Sequence, residues 1–319
     1  MFRFDHTLKR DGMYRYASLT LLAASIAVAF LFSPLSAQEA KQKVFGSPEE
    51  AMKVLAETIQ GGDSKGLLAV LGPDSQDIID SGDEVADKNV REAFVKVYQE
   101  RIDFVKEKGD RVSVILGNNN WPFPIPIVKK GEGWVFDIKT GKEEVLRRRI
   151  GRNELNAIQV CMAYVEAQRE YAGTDRERDG VIQYAQKIWS DPNRRNGLYW
   201  EPAEGELPSP FGPFVARAAE KGYTSKDEKP VPYYGYYFKI LKGQGKNAPG
   251  GAYSYVVNGH MVAGFAFVAW PAEYRVSGVM TFIVNQNGVV YEKDLGPKTG
   301  ETAKAMTRYN PDRTWRRAQ

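Results

Sequence analysis

The segment KEEVLRRRIGRNELNAIQVCMAYVEAQREY, from Lys142 to Tyr171, divides the chain into two differently patterned halves. Within it Leu155, Ile158, Met162 and Val165 recur at alternating spacings of three and four, the period of one face of an α-helix. A helix over this segment, with that seam against a core, opens the second half. The remainder of that half has a period of two: Tyr234 to Leu241, Tyr253 to Val257, Met261 to Trp270, Val279 to Val284 and Val289 to Lys293 read as five strands. Asn258-Gly259 and Asn287-Gly288 are tight-turn pairs, so the strands they join are antiparallel. Residues 191–232 between helix and strands are rich in proline, glycine and charge, and predict a long, partly irregular connection with a short helix over Phe214 to Glu220. The second half is therefore expected to be a long helix packed on an antiparallel β-meander, closed by a tail whose Trp315 docks on the core.

Upstream the pattern runs from helices to strands. Ser47-Pro48-Glu49-Glu50 has a capping serine, proline at the first helical position and acids in the first turn, and leads a helix carrying Met52, Leu55, Ala56 and Ile59 on one face. Gly61-Gly62 ends it, and Asp63 or Ser64 caps a second helix through Leu67, Leu68 and Leu71. Phe94, Val97, Tyr98 and Ile102 predict a third helix over Val90 to Phe104. Strands come after it over Arg111 to Leu116, Ile125 to Lys129 and Gly133 to Ile138. The fold class is α+β: N-terminal helices on a curved antiparallel sheet (38–141), then the long helix and meander (142–319).

Residues 1–37 carry Arg3, Lys9, Arg10 and Arg15, an apolar run from Ala17 to Phe32, and small residues ending at Ala37. These are the parts of a cleavable secretory signal, so a periplasmic or secreted location is expected, with cleavage after Ala37 and no permanent membrane anchor once the signal is removed. Without those residues the charged groups fall from 44 basic and 40 acidic to 40 and 38, a net charge of +2 rather than +4. Nothing in so even a balance points to nucleic acid as a partner. The apolar fraction of 43% suffices for a core, and with Cys161 as the only cysteine no internal disulfide is available, so packing alone must hold the fold.

The blocks Phe45-Gly46-Ser47-Pro48-Glu49-Glu50-Ala51, Asn196-Gly197-Leu198-Tyr199-Trp200, Ala248-Pro249-Gly250-Gly251-Ala252-Tyr253 and Gly278-Val279-Met280-Thr281-Phe282, with Gly288-Val289-Val290-Tyr291, resemble the domain-of-unknown-function 2950 family of exported bacterial proteins. The resemblance implies export and brings no catalytic residues with it. Two narrower likenesses sit inside it. The first half, ending in Gly133-Trp134-Val135-Phe136, is similar to the cone of nuclear transport factor 2, and the second half to the helix-on-meander of pilin-like domains.

The residue inventory limits the chemistry. His260, the only histidine after the first 37 residues, comes directly after Asn258-Gly259 in a turn. One histidine and one cysteine do not build a closed zinc site or a Cys-His pair, and no Gly-x-Ser-x-Gly elbow is present. Gly243-Gln244-Gly245-Lys246 lies between strands, where a phosphate loop needs a helix after it. Asp175, Glu177 and Asp179, with Gly180, match the start of a calcium loop, but Gln186 stands where the bidentate glutamate belongs. Arg147, Arg148, Arg149 and Arg152 form the densest basic run, at the junction of the halves; Tyr233, Tyr234, Tyr236, Tyr237 and Phe238 alternate around Gly235 as core and rim of a strand. Trp121, Phe123 and Trp134 are placed to line the mouth of a cavity in the first half.

The expectation is an exported envelope or periplasmic protein without catalytic residues or cofactor, acting as a binding or accessory module for another envelope component. One alternative is an enzyme using Asp103, Glu132 or Asp137 in the first-half cavity. The other is a calcium-dependent adhesive module using Asp175, Glu177 and Asp179.

Overall fold

Ser47 caps the first helix as the sequence predicts: its Oγ accepts the Glu50 N–H at 3.1 Å, and the Glu50 carboxylate returns to the Gly46 N–H at 2.7 Å. The structure is a computed structural model that describes residues 41–223 and 231–318. The expected export signal, with its cleavage site at Ala37, lies outside those residues. Helix α1 (Pro48–Gln60) is succeeded by α2 (Ser64–Leu71), capped by Asp63, a single 3-10 turn, α3 (Gln76–Ile79), and α4 (Glu84–Glu100), capped by Asp83.

Five strands come next: β1 (Ile102–Glu107), β2 (Arg111–Leu116), β3 (Trp121–Pro122), β4 (Ile127–Lys130) and β5 (Gly133–Phe136). They pair antiparallel in the order β1-β2-β4-β5, with β3 also on β2. The helix expected over Val90 to Phe104 stops earlier, because Arg101 is fully extended and Ile102 already pairs with Leu116. Ile102 and Phe104 therefore belong to a period of two, though Ile102 also fits the helical period of the residues before it.

Helix α5 (Ile138–Tyr171) has 34 residues and starts four before Lys142, where Asp137 accepts the Thr140 N–H at 3.2 Å. The expected division between residues 141 and 142 falls inside it. Half of the predicted seam turns inward, Val165 being buried and Ile158 packed against the core, but Leu155 and Met162 are 59% and 55% exposed, and Ala157, Val160, Cys161, Tyr164 and Tyr171 are buried instead. Two amides occupy inward positions that a count of apolar residues passes over. Gln168 exchanges two 2.8 Å hydrogen bonds with the backbone of Ala185, and Asn153 donates to the Ser277 carbonyl at 2.9 Å. Each supplies a partner that the buried backbone requires.

After α6 (Gly212–Glu220) come β6 (Tyr236–Leu241), β7 (Gly243–Gln244), β8 (Tyr253–Ser254), β9 (Val256–Val257), β10 (His260–Met261), β11 (Ala266–Pro271), β12 (Met280–Asn285) and β13 (Tyr291–Asp294), then α7 (Thr299–Ala305) and β14 (Arg316–Arg317). The main sheet, ordered β14-β13-β12-β11-β6, is the expected antiparallel meander; β7–β8 and β9–β10 are small ladders between β6 and β11. Asn258 and Gly259 both have positive φ, 50° and 86°, and turn β9 directly into β10. Strand β11 is buried along its whole length, with α5 and α7 both packed against it. The Tyr164 ring of α5 stacks on Phe267 at 4.0 Å, and Trp315 packs against this core.

The buried apolar residues form two clusters, and α5 serves both. Its Ile138 and Val145 join the helices and sheet of the first half; Ala157 to Tyr171 join the meander. Among the described residues no helix is long and apolar enough to cross a membrane.

Candidate functional site: an apolar cavity with an arginine end

Between the N-terminal helices and their sheet lies a cavity of about 450 Å³, within the range that holds small ligands. Its body is apolar: Leu55 of α1, Leu67 of α2 and Phe94 of α4 face Phe123 and Ile125 from the sheet side. Val90 and Trp121, 49% and 38% exposed, stand where it meets solvent. The Arg148 guanidinium lies over the Trp121 ring at 5.8 Å and donates to the Pro122 carbonyl at 2.9 Å, while its Nε pairs with Glu144; these contacts hold the indole at the mouth.

The polar end is built by one face of α5. Val145, Arg148, Arg149, Arg152 and Asn153 all line the cavity, spaced at i, i+3, i+4, i+7 and i+8. Arg149 is buried, and its two terminal nitrogens donate to the carbonyls of Asp77 and Ile78 at 2.6 and 2.7 Å. From α4, Arg91 donates to the Ile79 carbonyl at 2.7 Å. Arginines thus cap the carbonyl end of α3, a helix too short to satisfy its own. Burial pulls the Arg149 pKa below the ordinary guanidinium value, and the Asp87 charge opposes that shift.

Asp87 is the one acid on the cavity wall among the described residues; it is buried and accepts the Ser81 N–H at 2.8 Å. A turn earlier, Asp83 accepts from the N–H of Ala86 at 2.9 Å, from the N–H of Gly235 at 2.7 Å and from the Tyr223 hydroxyl at 2.9 Å, joining the first half to the second. Burial raises its pKa above 3.8 against the pull of those hydrogen bonds, and the Asp87 charge adds to the rise. Sequence reasoning missed both acids, because the partners that bury them, Gly235 and Tyr223 for Asp83 and the Ser81 N–H for Asp87, are set by the fold. The legible signal was the arginine run, whose spacing matches a helix face.

A family model described as a protein of unknown function (DUF2950) matches residues 42–318, nearly the whole chain. The chain belongs to this family. No curated protein and no solved structure matches it.

The other predicted residues of this DUF2950 member divide between the cavity and the surface. Trp121 and Phe123 line the cavity, whereas Trp134 lies on β5, its backbone paired with Phe45 through bonds of 2.8 and 2.9 Å, and is not part of the wall. Asp103 pairs with Arg101, Asp137 caps α5 and meets Arg111 at 3.2 Å, and Glu132 is exposed in the β4–β5 turn. None of these three acids lines the cavity.

The calcium-like loop uses its acids on itself. Asp175 accepts the N–H groups of Arg178 and Gly180 at 2.7 and 2.8 Å, and these bonds, Gly180's foremost, lower its pKa. Glu177 pairs with Arg194 at 2.8 Å; Asp179 accepts the Val181 N–H at 3.0 Å and lies 3.6 Å from His260 Nδ1. Gln186 turns away to the Gly259 carbonyl at 2.7 Å. Among the described residues no group of three or more His, Cys, Asp or Glu side chains is arranged to hold a metal ion. The Gly243–Gly251 loop is closed by Gln244, which donates to the carbonyls of Pro249 and Gly251 at 2.6 and 2.8 Å.

Proposed function

We propose that this DUF2950 member is an exported, non-catalytic binding protein that holds a small, largely apolar molecule in the cavity between its N-terminal helices and sheet. The observation that carries the reading is the cavity itself: about 450 Å³ of apolar-walled space between the N-terminal helices and their sheet. The ionisable wall groups favour binding over turnover. Among the described residues they are Asp87 and four arginines; a guanidinium keeps its proton near neutral pH and cannot act as a base, and Asp87 is held by the Ser81 N–H. Export rests on residues 1–37, and the near-neutral balance beyond them favours a small molecule or an envelope protein over nucleic acid. Both the cavity and the partner role thus belong to the cell envelope.

The test is a neutral fluorescent probe, N-phenyl-1-naphthylamine, titrated into protein beginning at Gln38. Saturable binding that is lost in Ala86→Phe, a wall residue of α4, with the melting temperature held, is the expected result. Equal binding to both proteins places the probe elsewhere and removes the proposal. Fractionation with N-terminal sequencing checks the location: a cytoplasmic chain that keeps its first 37 residues overturns export.

A further inference from the structure

The cavity is apolar at one end and cationic at the other, and among the described residues its arginines make no ion pair with an acid of the wall. Among the described residues four arginines line the wall and one acid, Asp87. Glu144, which is not on the wall, neutralises Arg148; Arg91 and Arg149 donate to neutral carbonyls, and Arg152 pairs with no carboxylate among the described residues. The Arg149 guanidinium, 9% exposed, makes no ion pair among the described residues and meets the charges of Asp87, Asp77 and Asp80 only through space, a costly arrangement for a folded protein to keep. Beside it on the same helix face, Asn153 is 3% exposed; its Nδ2 is bonded to the Ser277 carbonyl and its Oδ1 has no partner. Buried acceptors without donors are rare enough to demand a reason. One wall thus presents Arg149 and Arg152 without a contacting carboxylate and, at Asn153, an acceptor without a donor, among the described residues.

We infer that the ligand is an amphipathic acid: an unbranched apolar chain whose polar end carries an anion, set against Arg149 and Arg152, and a hydroxyl that donates to Asn153 Oδ1. This inference rests on the proposed binding function and specifies its ligand. At ~30 Å³ per non-hydrogen atom the cavity accommodates roughly fifteen such atoms, the size of a medium-chain hydroxy acid. An anion at this end forms charge-assisted hydrogen bonds of the strong class, worth tenfold or more in affinity for each one lost.

The experiment displaces N-phenyl-1-naphthylamine from the wild-type protein with three chains of one length: dodecanol, dodecanoate and 3-hydroxydodecanoate. The expected order of potency is 3-hydroxydodecanoate, then dodecanoate, then dodecanol, with about tenfold between the acids and the alcohol. Arg152→Gln, at an exposed position whose loss leaves the core intact, reduces the affinity of both acids about tenfold and leaves that of the alcohol unchanged. Dodecanol as potent as dodecanoate, or acids indifferent to Arg152→Gln, overturns the anion assignment while leaving the cavity a binding site. Equal potency of the two acids overturns the assignment of a donor to Asn153. Failure of the probe itself to bind defeats the underlying function instead, so the two failures are distinct.

Discussion

Asp83 and Gly235 meet at the contact on which the two halves depend. Gly235 has φ of 72°, and a Cβ there would sit 2.7 Å from Asn153 Nδ2 and 2.8 Å from Ser277 Cβ, both fixed by their own hydrogen bonds. Gly235→Ala therefore combines left-handed strain with overpacking, and is expected to lower the unfolding free energy by about 2 kcal/mol or more in urea titration. The Asp83 carboxylate adds a pH dependence whose sign is set by its raised pKa. The folded state holds this proton more tightly than the unfolded chain, so the group's contribution to stability is greatest at low pH and declines as pH rises from 3.8 through the folded value. Asp83→Asn removes that titration. The wild-type advantage in urea midpoint is expected to narrow from about pH 4 upward and then level off; an advantage that widens over this interval contradicts the assignment.

Helix α5 separates what its sequence discloses from what it conceals. The 3.6-residue period over Lys142 to Tyr171 is enough to announce a helix, and the Asn-Gly pair enough to announce the β9–β10 turn, because both are dictated by local backbone geometry. Which face turns inward is not legible, since Asn153 and Gln168 are buried by hydrogen bonds to Ser277 and Ala185, residues distant in sequence. The apolar Leu155 and Met162 face solvent instead. Substitution tests this orientation: Leu155→Ala is expected to change stability by no more than about 0.5 kcal/mol, whereas Tyr164→Ala, which removes the ring stacked on Phe267, costs about 3–5 kcal/mol in the same denaturation assay. The cavity is half legible for a similar reason. Trp121 and Phe123 mark the mouth and the arginine run marks the wall, but Trp134 is not part of the lining, and the short α3 that engages Arg149 becomes evident only with the fold in view.

Across the whole molecule, the Asp83 contacts with Gly235 and Tyr223, the Asn153 contact with Ser277 and the shared helix connect the two apolar clusters. Unfolding is expected as one transition, with tryptophan fluorescence and far-ultraviolet circular dichroism coinciding; two resolved transitions would show the clusters to be independent. Arg149→Met, which removes two of the three guanidinium bonds to the end of α3 and leaves that of Arg91, should destabilise the first cluster selectively and broaden that transition. The continuity of α5 also restricts the evolutionary drift of chain length. One codon inserted near Gly151 would rotate everything downstream by about 100° and advance it by about 1.5 Å, taking Asn153 out of register with Ser277 while Arg149 stayed against α3. Between Arg149 and Asn153 the gene is therefore expected to tolerate substitutions but not insertions or deletions, and variation in length among relatives should collect in exposed connections such as residues 203–207.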